Sequence, residues 1–136
     1  MGKARESMSR DQMIDAGVFI ALSSNPSKGF ALVSRWKNEA MMHRTTRGAV
    51  ARVWRDPPDP TIAKLLAAMQ RVEPISDDAE AKQVGVLLGQ TGHRDVVDAS
   101  LVVAAKRTGR DILTTDPDDI GELAEAVDVE FQTFAM

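Results

Sequence analysis

The residues of this chain best suited to chemistry are aspartates. Asp95 and Asp98 open the stretch "RDVVDASLVVAA" at residues 94–105. Three residues apart, they share one face of any helix that forms there. Asp15 follows the short run "QMI", and Asp116 follows "ILTT", with Asp119 three residues on. Carboxylates gathered in one crevice repel one another unless a proton or a cation compensates. A hard divalent ion such as Mg²⁺ supplies that charge through oxygen ligands, typically one or two protein carboxylates with water and substrate phosphate. Such an ion also activates water for attack on the phosphate. Thr114 and Thr115 add hydroxyls beside Asp116. Each acid is equally suited to capping a helix, a role worth about 1 kcal/mol. Asp95 with Asp98 mimics a capping box, Asp116-Pro117 opens a helix, and Asp15 precedes "AGVFIAL". Capping and chemistry are both open at this level, and one residue can serve both.

Other chemistries find little support. The chain has no cysteine, which excludes disulfides and thiolate metal sites and fits a reducing, cytoplasmic setting. His43 and His93 are not spaced as a zinc pair, and His93 reads as a turn residue. No glycine pattern matches a phosphate-binding loop. Ser100 falls inside a helix, outside the strand–turn–helix context of a nucleophile elbow. Trp36 and Trp54 read as core or interface residues. Charge is uneven: residues 35–55 carry Arg35, Lys37, Arg44, Arg47, Arg52 and Arg55 against Glu39, whereas residues 111–130 carry eight acids and no Lys or Arg. The basic segment suits a phosphate backbone, or the two segments are solvated faces of opposite sign.

The elements that must position these acids alternate between strand and helix. With 136 residues, 43% of them hydrophobic, the chain suits one domain with a real core. Residues 1–11 read as a polar extension without the apolar stretch of a signal peptide, and no run approaches a membrane span. A strand at 12–15 leads into "AGVFIAL". A helix at 28–39 turns Phe30, Val33 and Trp36 inward, and "AMMHR" at 40–44 is a short strand. "TTRGAVARVW" is a helix capped by Thr45 or Thr46, broken by "DPPDP" at 56–60. There follow helix "TIAKLLAAM", strand "RVEPI", a helix capped by Ser76, and the helix at 95–107 ended by Gly109. Strand "DILTT", helix "PDDIGELAEAV" and strand "VEFQTF" complete the order. Such alternation predicts an α/β domain over 12–136 with a mostly parallel central sheet. Sites in such sheets form at the carboxyl ends of the strands, where Asp15 and Asp116 fall.

In this setting "MIDAGVFIAL" resembles the opening of PIN-domain proteins, in which an aspartate ends the first strand. "DVVDASLVVAAKRTGRDILTTDPDDI" resembles their second half, and "AVARVWRD" resembles a helix of the VapC-like toxin subgroup. The likeness runs from Gln12 to Phe134. It implies a three-layer α/β/α fold and an Mg²⁺- or Mn²⁺-dependent endoribonuclease, the toxin of a toxin–antitoxin pair, with RNA as substrate, an antitoxin as partner and a homodimer as assembly. By position Asp15, Asp98 and Asp116 match the family's metal-site acids, and Asp95 and Asp119 match secondary acidic positions. The sequence departs at Arg52, which stands where the family commonly carries an acid and would meet substrate phosphate with Thr114 and Thr115. Glu39 falls at the wrong end of its strand, and Asp56 lies one turn beyond Arg52. That departure keeps a second reading open, a PIN-like module that binds RNA or protein without cutting. A third, an aspartate phosphoacceptor domain, lacks the lysine expected near "ILTTD".

Overall fold

The computed structural model describes residues 11–135, so the expected extension at 1–11 lies outside the described residues apart from Asp11. In chain order the elements are β1 (Gln12–Ile14), α1 (Ala16–Ser23), α2 (Pro26–Asn38), β2 (Arg44–Thr46), α3 (Arg47–Val53) and α4 (Pro60–Ala67). They continue with β3 (Arg71–Glu73), α5 (Asp78–Thr91), α6 (Val96–Thr108), β4 (Asp111–Thr114), α7 (Asp119–Ala126) and β5 (Phe131–Thr133).

The five strands form one sheet in the order β3-β2-β1-β4-β5, and every pairing is parallel. Side chains alternate across a strand, and here both faces are buried. Met13 and Ile112 join Val84, Leu87, Leu101 and Leu123 under α5–α7, while Ile14 and Leu113 join Phe19, Leu22, Trp36 and Leu65 under α1–α4. The result is three layers, α/β/α. A parallel sheet covered on both faces gives short, continuously apolar strands, as "MI" and "IL" read in the sequence. No helix among the described residues is long and apolar enough to cross a membrane.

Several local expectations shift. The strand expected at 40–44 is instead Arg44–Thr46: Met42 is exposed, whereas Thr45 is buried and donates from Oγ1 to the Ile14 carbonyl at 2.7 Å. Of the two cap candidates Thr46 caps α3, its Oγ1 accepting from Ala49 N at 3.1 Å. Asp77, not Ser76, caps α5, and Glu80 reaches back to accept from Ser76 N. Phe30 lies outward beneath the Lys64 ammonium, while Val33 and Trp36 are buried. Of the two tryptophans expected in the core or at an interface, Trp36 is in the core and Trp54 is exposed.

The sheet order sets the position of the site. The chain builds β1, β2 and β3 outward, then crosses to the other side of β1 to lay down β4 and β5. After β1 it enters α1, which packs on one face, and after β4 it enters α7, which packs on the other. Connections leaving adjacent strands in opposite directions open a crevice at their carboxyl ends.

Candidate functional site

That crevice, about 280 Å³, is lined by Asp15, Asp95, Asp98, Asp116 and Asp119, with Arg52 and Thr115 among them. Asp15 directly follows β1, its N–H bonded to the Leu113 carbonyl of β4 at 3.0 Å. Asp116 and Asp119 come from the turn between β4 and α7, Asp95 and Asp98 from the start of α6, and Arg52 from the last turn of α3. All five expected acids are therefore brought together.

Capping accounts for only some of them. Asp95 Oδ1 accepts from Asp98 N at 3.1 Å, and Asp116 Oδ1 accepts from Asp119 N at 3.2 Å, so both serve helix starts. Asp15 stands at the N-cap position of α1 but its side chain makes no cap bond. Instead its Oδ2 accepts from Thr114 Oγ1 at 2.7 Å, and the same hydroxyl oxygen accepts from Asp116 N at 2.9 Å. Asp98 accepts from Arg52. Asp15 and Asp98 are 5% and 8% exposed. Two buried carboxylates without a capping role are costly to keep ionised.

Their proton affinities reflect that cost. Burial raises the Asp15 carboxyl above its ordinary value, against hydrogen bonds from Thr114 and the Ala16 backbone, with Asp116 adding repulsion. Burial, then the charges of Asp95 and Asp15, push Asp98 up to about 6. Arg52 offsets this only in part. Its Nη2 lies 2.8 and 2.9 Å from the two Asp95 oxygens, while its Nη1 reaches Asp98 Oδ1 at 3.3 Å. Burial acts upward on Asp95 as well, but the forked hydrogen bonds from Arg52 outweigh it and hold Asp95 below its usual value. Asp95, which takes both of its oxygens to the one Nη2, gains more from the shared guanidinium than Asp98, reached only by Nη1 at 3.3 Å. Arg52 is raised in turn, first by the Asp95 hydrogen bonds.

The raised Asp98 carboxyl makes stability depend on pH. The native state holds the proton up to about 6, the unfolded chain only to its ordinary value of 3.8. Between these values the native state binds more protons, so stability falls as pH rises, and the loss is complete above about pH 6. A shift of this size corresponds to on the order of 3 kcal/mol. Asp98→Asn is expected to unfold at a higher temperature than the wild type at pH 7.5 without divalent ions. That gain should shrink toward pH 4. Melts showing the same difference at both pH values would place the perturbed group elsewhere.

The donor set suits a hard cation. Among the described residues no group of three or more His, Asp or Glu side chains is arranged to hold one ion together. Mg²⁺ needs only one or two protein carboxylates and keeps several waters. Asp15, with Asp98 or Asp116, fits that requirement as a hydrated open site rather than a closed cage. Arg52 already supplies one positive charge to the same acids.

Other expected residues fall differently. Thr114 is fully buried, committed to Asp15 and Asp116, and cannot bind substrate as expected; it positions the two acids. Thr115 is exposed and lines the crevice. Glu39 ends α2 and pairs with Arg35, away from the crevice. Asp56 is exposed beyond α3 and is not a partner of Arg52. His93 sits in the turn after α5, 2.6 Å from Glu122 Oε1. Gly17 and Ile20 also line the crevice. A side chain at Gly17 would begin 2.2 Å from Thr115 Oγ1, so the glycine makes room for that hydroxyl. The signal in the sequence was a glycine in the first turn of the helix after Asp15.

The fold and crevice thus define a parallel α/β/α protein with an acidic strand-end site partly neutralised by its own arginine. No protein-family model matches the chain, and no curated protein matches it in sequence.

Proposed function

We propose that the chain is a divalent-metal-dependent endoribonuclease of PIN-like type, acting as the toxin of a toxin–antitoxin pair. The observation that carries this reading is the pair of buried carboxylates, Asp15 and Asp98, that face the strand-end crevice with no capping role. Of the expected metal-site acids Asp15, Asp98 and Asp116, Asp15 with one of the other two would hold a hydrated Mg²⁺ or Mn²⁺, with Asp95 and Asp119 nearby. When bound, the ion supplies Lewis acidity and a water of lowered pKa for phosphodiester hydrolysis. Thr114 holds Asp15 in place, the exposed Thr115 hydroxyl donates to a phosphate oxygen, and Arg52 turns its fork from Asp95 to the phosphate. A basic segment of an antitoxin suits the acids of the crevice, and a homodimer completes the reading.

Purified protein incubated with structured RNAs is expected to cut them in Mg²⁺ or Mn²⁺ but not in EDTA, with cleavage lost in Asp15→Asn. Co-expression with a neighbouring small open reading frame should give a co-purifying complex. If the wild type leaves RNA intact in both metals, or Asp15→Asn cuts as well as the wild type, the nuclease reading fails. One observation favours a second reading. Arg52 already neutralises Asp95 and part of Asp98, which suits a domain that binds RNA or protein without cleaving.

A further inference from the structure

A second cavity, about 310 Å³, lies beside the acid crevice between the starts of α3 and α6. We propose that it is a subsite for one unpaired nucleobase of single-stranded RNA, next to the phosphate held in the crevice; this rests on the RNA reading above.

The two hollows are built on the same two helices. Helix α3 lends Arg47 and Gly48 to the cavity and Arg52 to the crevice, and α6 lends Val96, Val97 and Ser100 to one while Asp98 lines the other. From Arg47 to Arg52 the helix advances about 7.5 Å, roughly two stacked nucleotide steps along a strand. A strand whose phosphate meets Arg52 can therefore reach the cavity with a base within about two nucleotides.

The lining suits a base. Its walls are aliphatic, and Ile75 and Val96 are 45% and 54% exposed, apolar surface of the kind on which an unstacked base lies. Gly48 brings α3 close enough to complete the wall: a Cβ there would stand 3.2 Å from Val97 Cγ2. Two hydroxyls can read the base edge. Among the described residues Ser100 Oγ has no hydrogen-bond partner, and Thr46 Oγ1, which accepts from Ala49 N, still has its hydrogen to donate. At the rim Arg47 is exposed and pairs with no acid among the described residues, leaving its fork for a backbone phosphate. Glu73, below, is paired with Arg44 and Arg107, which offset its charge.

The test is fluorescence anisotropy of short labelled oligoadenylate, oligocytidylate and oligouridylate in EDTA, where a metal-dependent nuclease cannot cut. The wild type is expected to separate its best and worst homopolymer by about tenfold or more. Ile75→Ser with Val96→Ser, both at exposed positions, should collapse that spread to roughly threefold or less while salt-sensitive binding persists. Independently, the nucleoside 5′-monophosphate of the preferred base should shift the Val97 methyl resonances and leave the core residue Val102 unmoved. Binding without a spread, a spread that survives the double variant, or unmoved Val97 methyls overturns the subsite but leaves RNA binding standing. No binding of any homopolymer overturns the RNA reading and the subsite together.

Discussion

Replacing Arg52 by glutamate is expected to tighten Mn²⁺ binding by about tenfold or more, while removing the arginine that would meet the substrate phosphate. The guanidinium is forked onto Asp95 and touches Asp98, so an arriving ion meets a fixed positive charge among its own ligands. Two unit charges about 5 Å apart interact by roughly 3 kcal/mol at the effective dielectric of a protein surface. The Arg52 side chain is 36% exposed, so solvent screening reduces this to on the order of 1–2 kcal/mol. Arg52→Gln removes that repulsion alone, and Arg52→Glu adds a carboxylate to the donor set. Without metal, Arg52→Glu should melt below the wild type, because it adds a negative charge to a crevice that already raises Asp98. Saturating Mn²⁺ should then restore more stability to the variant than to the wild type. Calorimetric titration orders the three proteins as Glu, Gln, Arg from tightest to weakest. Equal affinities would mean that Arg52 has no contact with the ion's position.

The reach of Arg52 marks the boundary of what could be read from the chain. Asp15 after "QMI", Asp116 after "ILTT" and the α6 start at Asp95 were legible, because strand ends and caps leave local signatures. The parallel sheet followed from alternation alone. Which acid Arg52 would meet was not legible. It depends on how α3 packs against α6, and a helix face exposes its partner only once the two are docked. Periodicity placed Phe30 with Val33 and Trp36, yet it lies on the outer margin of that stripe beneath Lys64. The strand near 44 was misplaced for a related reason. Met41 and Met42 look like strand residues, but the hydroxyl of Thr45 supplies the buried bond to Ile14. Buried polar residues were the least visible. His43, 1% exposed, accepts from Gln12 N through Nδ1, and Glu73 is fully enclosed; both sit in segments that read as ordinary short strands.

Glu73→Ala is expected to cost about 2–4 kcal/mol at neutral pH, a loss typical of breaking a buried ion network. The Glu73 side chain is 1% exposed and stands between Arg44 Nη1 at 2.7 Å and Arg107 Nη1 at 3.0 Å. Arg107 continues to Glu80 at 2.5 Å, so one chain of charges ties β2, β3, α5 and α6 together. Burial alone would raise the Glu73 carboxyl, but hydrogen bonds from Arg107 and Arg44 dominate and lower it below its ordinary 4.5. A depressed carboxyl contributes stability that is present above pH 4.5 and disappears as pH falls through the native value. The penalty of the variant should therefore be full at pH 7 and shrink in acid. Arg44 and Arg107 are 23% and 31% exposed and can rehydrate when the carboxylate is removed, which keeps the loss below that of a wholly buried pair. Urea unfolding of Glu73→Ala and the wild type at both pH values measures this. A difference below about 0.5 kcal/mol at pH 7 would class Glu73 with ordinary surface positions. The same variant separates scaffold from site. Glu73 lies under the cavity beside α6 and outside the acid crevice, so its removal should lower stability while leaving the Mn²⁺ affinity of the folded protein unchanged.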